Sequence, residues 1–359
     1  MKTFETFLAR RCPTLLGLGE PTHWTEAFPL FRNEVFRYLV REHGYRSIAL
    51  ETDCLAGRLV DRYVTTGAGD LDQVLATGFS HGFGAFPSNR ALVEWLRDHN
   101  TGRAPEDQVR FHGFDAPLEM ASAPSPRAVL TELHGFLSAH LDDVPYDVAT
   151  IERLAGEDAG WADEAAMWDG RKSQGDRPAA RELRLIADDL AGQCERARPG
   201  LPEGGELLAR TAVGLCRYHA LMTDTSPERM GRLGAQRDVM MAENLLALPH
   251  TFVSAHNQHL QRRAISMMGG QWCSAGAQVA HRLGDRYVFI ATDFGSSDAV
   301  GEPASGTLQA HLAATVQDRE LVETAGIDPD LPARTGDGRA YLPFDAVGAA
   351  DAIAFLQRV

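Results

Sequence analysis

Six side chains of the kinds that move protons fall into four short clusters: Glu20 with His23, Glu51, Asp115, and His256 with His259. An imidazole exchanges protons near neutral pH, and a neighbouring carboxylate holds its tautomer. Such a set can supply a general base, a general acid and oxyanion donors. Two histidines with carboxylates nearby can also hold a metal. Residue type alone leaves these chemistries open. The spacing of His256 and His259 puts both imidazoles on one side if a helical turn starts there. Taken singly, an acid or histidine after an apolar run is more often a solvated loop residue or a cap, Asp115 above all. The fourfold recurrence is what argues for a site.

Each cluster follows a short apolar run, at 15–18, 47–50, 109–114 and 251–255. Strands buried on both faces of a parallel sheet read this way, and their carboxyl ends face the ligand crevice. Residues 287–291 predict a fifth strand ending near Asp293. Residues 344–347 predict a last strand, and 349–356 a last helix. Between the first two runs Phe28, Phe31, Val35, Phe36, Leu39 and Val40 recur at helical spacing, with Thr25 as candidate N-cap and Gly44 as stop. Strand, helix, strand favours parallel pairing. Arg32 lies within that apolar stripe, where a guanidinium needs an anionic partner or a route to water. The glycine-rich segment 78–84 lacks the spacing of a phosphate cradle and reads as a loop bordering a pocket. From 116 to 230 the strand signal fades into helical patterns, and Trp161 and Trp168 are expected to dock the polar part of that stretch. The expectation is an α/β fold with a mainly parallel central sheet flanked by helices. Residues 1–115 and 231–359 form the core, and a helical insertion, 116–230, caps the carboxyl ends of the strands.

The chain has 359 residues and a formal net charge of -14. That balance argues against a nucleic-acid or anionic-membrane partner, since phosphate binding relies on clustered Lys and Arg. A small-molecule substrate is the expected partner; the oligomeric state is not legible. The five cysteines show no CxxC pair and read as small buried residues. No signal-peptide core or membrane-length apolar run is present, which predicts a cytoplasmic protein. No GxSxG, HExxH or marked thiolate points to a serine, zinc or cysteine hydrolase.

Longer pieces sharpen the reading. Gly19-Glu20-Pro21-Thr22-His23, Glu42-His43-Gly44-Tyr45 leading to Ala49-Leu50-Glu51, Phe111-His112-Gly113-Phe114-Asp115, Arg237-Asp238 with Met241-Ala242-Glu243-Asn244, and Ala255-His256-Asn257-Gln258-His259 occur in that order. In these pieces the sequence resembles the erythromycin esterase family. The resemblance implies a hydrolytic site without a serine or cysteine nucleophile and without a cofactor or bound metal. It implies His23 as the base that activates water, and Glu20 and Glu51 as the groups that orient the histidines. It implies that Arg32, His256 and His259 stabilise the substrate oxygen, with Glu20 and Glu51 as Arg32's anionic partners. Asp115, Asn257 and Arg237 are expected at the substrate. The chain departs from the family pattern beside the base: Trp24 replaces a glycine, Glu26 an arginine and Asn33 a histidine. Trp24 can narrow the pocket or stack on a flat ligand; core packing is the alternative. The expected activity is cleavage of an ester or lactone of a secondary metabolite. A tailoring enzyme forming or rearranging an ester, lactone or ether, and a binding protein without turnover, are the competing readings.

Overall fold

A computed structural model describes residues 2–11, 13–119, 122–267, 270–336 and 341–359. Its centre is a seven-stranded sheet formed by β1 (Leu15–Glu20), β2 (Ser47–Asp53), β3 (Arg110–Asp115), β4 (Thr251–His256), β7 (Tyr287–Ser296), β8 (Arg319–Glu323) and β9 (Ala352–Arg358). The order is β3-β2-β4-β1-β7-β9-β8, and only the β8 edge runs antiparallel. A short antiparallel hairpin, β5 (Ala264–Met267) with β6 (Gly270–Cys273), stands apart. The four apolar runs that precede the clusters are thus four neighbouring strands, and β2, β4 and β1 lie side by side.

Both faces of the sheet are covered. The helix Ala27–Glu42 buries Phe28, Phe31, Val35, Phe36, Leu39 and Val40 against one face, where the Phe36 and Phe252 rings stack at 5.6 Å. Helices Gly57–Thr66, Leu71–Gly78 and Pro87–Asn100 extend that layer. Helices Arg229–Leu246, Ala275–Leu283 and Leu308–Thr315 cover the other face. The helices Arg127–Ser138, Val148–Ala155, Pro178–Ala197 and Gly205–Met222 bury a leucine-rich core of their own. The end of the last of these brings Tyr218 close enough to Arg237 and Asp115 to feel their charge.

Several local expectations are corrected. Thr25 does not cap the helix Ala27–Glu42; Glu26 occupies the cap position, and its carboxylate accepts from Ser88 N at 2.6 Å instead. Residues 344–347 form no strand, and 349–356 form no helix: β9 occupies Ala352–Arg358, because β7 on one side and β8 on the other offer the ladder partners. Cys273 is exposed, while Cys54, Cys194 and Cys216 are buried; Cys12 lies outside the described residues. Trp161 is buried and donates to the Ala155 carbonyl, whereas Trp168 is exposed. Among the described residues no helix is long and apolar enough to cross a membrane.

Candidate active site

The sheet register does most of the assembly. Glu20 and His256 are Cα partners at the carboxyl ends of β1 and β4. Glu51 leaves β2 on the other side of β4 and accepts the His256 backbone N–H at 2.8 Å. The one-turn helix Asn257–Leu260 starts directly after β4 and presents His259. Two motif glycines make this approach possible. A Cβ on Gly19 would lie 2.2 Å from the Asn257 side chain, and one on Gly113 would lie 2.2 Å from the Asp53 carbonyl oxygen.

His23 sits between two carboxylates. Its Nδ1 donates to Glu20 Oε1 at 2.8 Å, and its Nε2 lies 3.9 Å from Glu51 Oε2. Burial would lower its pKa, but Glu51 and Glu20 outweigh that and raise it to about 9. At neutral pH it is therefore held as an imidazolium. Glu51 is buried, which alone would raise its pKa; His259, His23 and Arg237 outweigh burial and hold it down at about 2. His259 is likewise raised: burial opposes its charge, and Asp238 and Glu51 overcome it. Its Nδ1 donates to Asp238 Oδ1 at 2.8 Å and its Nε2 lies 3.5 Å from Glu51 Oε1. Asp238 in turn accepts from Trp272 Nε1 and from Ala275 N, at 2.6 and 3.0 Å.

His256 behaves differently from its expected role. Its Nε2 donates to the Pro21 carbonyl at 3.1 Å and its Nδ1 accepts from Gln258 N at 3.2 Å. Burial, then the charge of His23, lowers its pKa to about 3, so it stays neutral. Both ring nitrogens serve the backbone, and the imidazole packs 5.2 Å from that of His23. It fixes the turn that carries His23 rather than offering a nitrogen to substrate.

Three residues expected at the substrate support the site from behind. Asp115 is fully buried, and a carboxylate without solvent must be paired. Arg237 Nε and Nη2 donate to it at 2.9 and 2.6 Å, and His81 Nε2 lies 3.0 Å away. Burial opposes the charge, yet Arg237 and His81 hold Asp115 well below the usual carboxylate range. Arg237 Nη2 also reaches Glu51 Oε1 at 3.1 Å, so this guanidinium clamps two carboxylates together. Asn257 is buried, and its amide donates to the Thr292 carbonyl at 3.0 Å.

Arg32 does reach the site, with other partners than expected. Its Nε and Nη2 donate to the amide oxygens of Asn33 and Asn89, at 3.1 to 2.8 Å, rather than to a carboxylate. Burial lowers its pKa to about 10, partly offset by Glu20 and Glu26. Arg32 lines a cleft of about 30 Å³ together with Glu20, His23, Glu51, Phe83 and Phe86. That leaves room for a water molecule. Trp24 is 68% exposed, which removes core packing as its role. Its ring lies 5.9 Å from Phe86 and 6.4 Å from Phe83, and Phe83 lies 5.1 Å from His23. An aromatic ledge thus leads from solvent to His23.

Sequence reasoning gave no role to Asp238, His81, Phe83, Phe86 or Asn89. Asp238 stood in view beside Arg237. His81 and Phe83 stood in the 78–84 loop, whose Phe79 and Phe83 do border the cleft. Asn89 carried no signal, because an asparagine on a surface-spaced helix is common. Among the described residues no group of three or more His, Cys, Asp and Glu is arranged to hold a metal ion.

With this geometry in place, the chain can be compared with known proteins. The profile of the erythromycin esterase family matches residues 40–353. The chain belongs to the erythromycin esterase family. The match begins downstream of His23 and Arg32. An Escherichia coli erythromycin esterase type II is 25% identical over 104 residues, which cover 29% of this chain and 23% of that enzyme. The chain therefore matches about a quarter of that relative's length. Among solved structures, a Bacillus cereus protein is 19% identical with a TM-score of 0.74, covering 97% of this chain and 89% of its own. A succinoglycan biosynthesis protein is 16% identical with a TM-score of 0.72, over 96% and 88% of the two chains. A histidine-to-asparagine variant of the erythromycin esterase EreC, in its open conformation, is 18% identical with a TM-score of 0.70, over 98% and 92%. At these identities the structures show the shared fold. Family membership supports an esterase-like hydrolase.

Proposed function

We propose that this member of the family hydrolyses an ester or lactone of a secondary metabolite with water activated by His23. The observation that carries the proposal is the placement of His23 between Glu20 and Glu51 at a cleft with room for water that Arg32 also lines. A nitrogen and an oxygen 3.9 Å apart do not bond directly, but both can hold the same water. Once His23 has lost its proton, Nε2 takes one from that water as the oxygen attacks the carbonyl carbon. Negative charge then grows on the carbonyl oxygen. Arg32, unneutralised by a carboxylate contact, is the cation at the cleft that stabilises it, while His259 stands behind Glu51, between it and Asp238. Collapse of the tetrahedral intermediate expels the alcohol, which recovers the proton from the His23 imidazolium. Glu20 fixes the tautomer throughout. In this reading the bulk of the substrate rests at the mouth of the cleft, on the Trp24 ledge.

One observation favours a second reading, a binding protein that has kept the fold: at neutral pH His23 is held protonated and is no base. Substitution separates the two. His23→Asn is expected to lose about a hundredfold or more of kcat/KM on a panel of acetate esters and lactones. Retention of more than a tenth of the wild-type rate would remove His23 from the chemistry. Tight ligand binding by the wild type with no turnover on the panel would favour the binding reading.

A further inference from the structure

His81 takes no part in the reaction above, yet it is held in an unusual way. Its backbone is left-handed, with φ of +56°, a conformation that side-chain-bearing residues rarely adopt. Such strain persists only where the surroundings enforce it. On one side Ser80 is pinned to the end of β2: its N–H donates to Thr52 Oγ1 at 2.7 Å, and its Oγ accepts from Asp53 N at 2.9 Å. Thr52 and Asp53 directly follow Glu51. On the other side the His81 imidazole reaches across to β3, with Nε2 3.0 Å from Asp115 Oδ2, and Nδ1 lies 3.1 Å from Glu119 Oε2. Two residues on, the Phe83 ring lies between two imidazoles, 5.6 Å from His81 and 5.1 Å from His23. The same Asp115 carboxylate orients Arg237, which holds Glu51.

We propose that His81 is a positioning residue. Its bond to Asp115 latches the 78–84 loop across the ends of β2 and β3. That holds Phe83 as the wall beside His23 and keeps Arg237 on Glu51. The consequence for the rate rests on the hydrolase reading above; the latch itself does not.

Two measurements test it on the full-length protein. Hydrogen exchange reads the loop without any substrate. In His81→Ala the Ser80 amide is expected to lose about tenfold or more of its protection. In His81→Gln, whose amide nitrogen can take the place of Nε2 and donate to Asp115, protection is expected to return to within about threefold of wild type. Steady-state rates on the ester panel supply the second. The effects of His81→Ala and Phe83→Leu are expected to be non-additive, with the double variant no slower than the slower single one. Unchanged Ser80 exchange in His81→Ala, or rate losses that multiply, would overturn the latch. Should His81→Ala not fold, a His81→Gln variant with an unprotected Ser80 amide would overturn it as well. Should no ester be turned over at all, the hydrolase reading falls, and the exchange result alone decides the latch.

Discussion

A histidine between two carboxylates is a proton trap before it is a base, and most of the site's behaviour follows from that. Glu20, Glu51, Asp115 and Asp238 are balanced by Arg32, Arg237, His23 and His259, so no single substitution among them is electrostatically neutral. Which cation balances which anion was not legible in the sequence. Arg32 stood out because it interrupts an apolar stripe, and Glu20 and Glu51 seemed its natural partners. Arg237, arriving from a helix nearly two hundred residues away, takes Glu51 instead, and the Asn33 and Asn89 amides take Arg32. Residue type announces a need for a partner; only the fold chooses it. Trp24 is one of the departures from the family pattern beside His23, and it is exposed. If its exposed ring carries part of the substrate, Trp24→Ala should erode a preference for aromatic esters. The ratio of kcat/KM for 2-naphthyl acetate to that for cyclohexyl acetate is expected to fall about fivefold or more. An unchanged ratio would take Trp24 out of substrate binding.

The elements were legible where burial left a simple pattern. Parallel strands covered on both faces became apolar runs, each followed by a titratable residue, although β7 runs on to Ser296 past the buried Asp293. That gave β1, β2, β3, β4 and β7. It failed at the far edge. In β8, Arg319, Glu320 and Glu323 interrupt any apolar run, as edge strands commonly allow. The alanine-rich β9 has no local feature that distinguishes it from a helix; its strand form comes from pairing with β7 and β8. The glycines of the motifs have a physical reading at this scale. Gly19 lets the Asn257–Leu260 turn close down on β1. A methyl group there would push on Asn257 and Phe289, so Gly19→Ala is expected to cost about 1–3 kcal/mol of stability. Urea denaturation measures this, and kcat/KM should fall with it because the turn carries His259. A variant as stable and as active as wild type would show that the close approach is not needed.

At the scale of the whole molecule, a parallel sheet brings residues 20, 51 and 256 together although more than two hundred residues of chain lie between the first and last. The helices between residues 127 and 222 bury a second core, which Leu233 and Met240 of the helix Arg229–Leu246 join to the layer on the sheet. The linkage sign follows from the raised His23 pKa of about 9 against an ordinary 6.5. The stability that protonated His23 contributes is fully present below pH 6.5 and is lost as pH rises through about 9. Under the proposed hydrolysis the rate runs the other way, because the base form appears over that same interval. The pH dependence of kcat/KM, measured for wild type and Glu20→Gln, therefore bears most directly on the central claim. The expected wild-type profile climbs from neutral pH with a single ionisation near 9. Removing the Glu20 charge should move that ionisation to lower pH, since less holds the proton in place. A flat profile between pH 6 and 10, or an ionisation that stays put in Glu20→Gln, would contradict a His23 that is held between two carboxylates and released as the base.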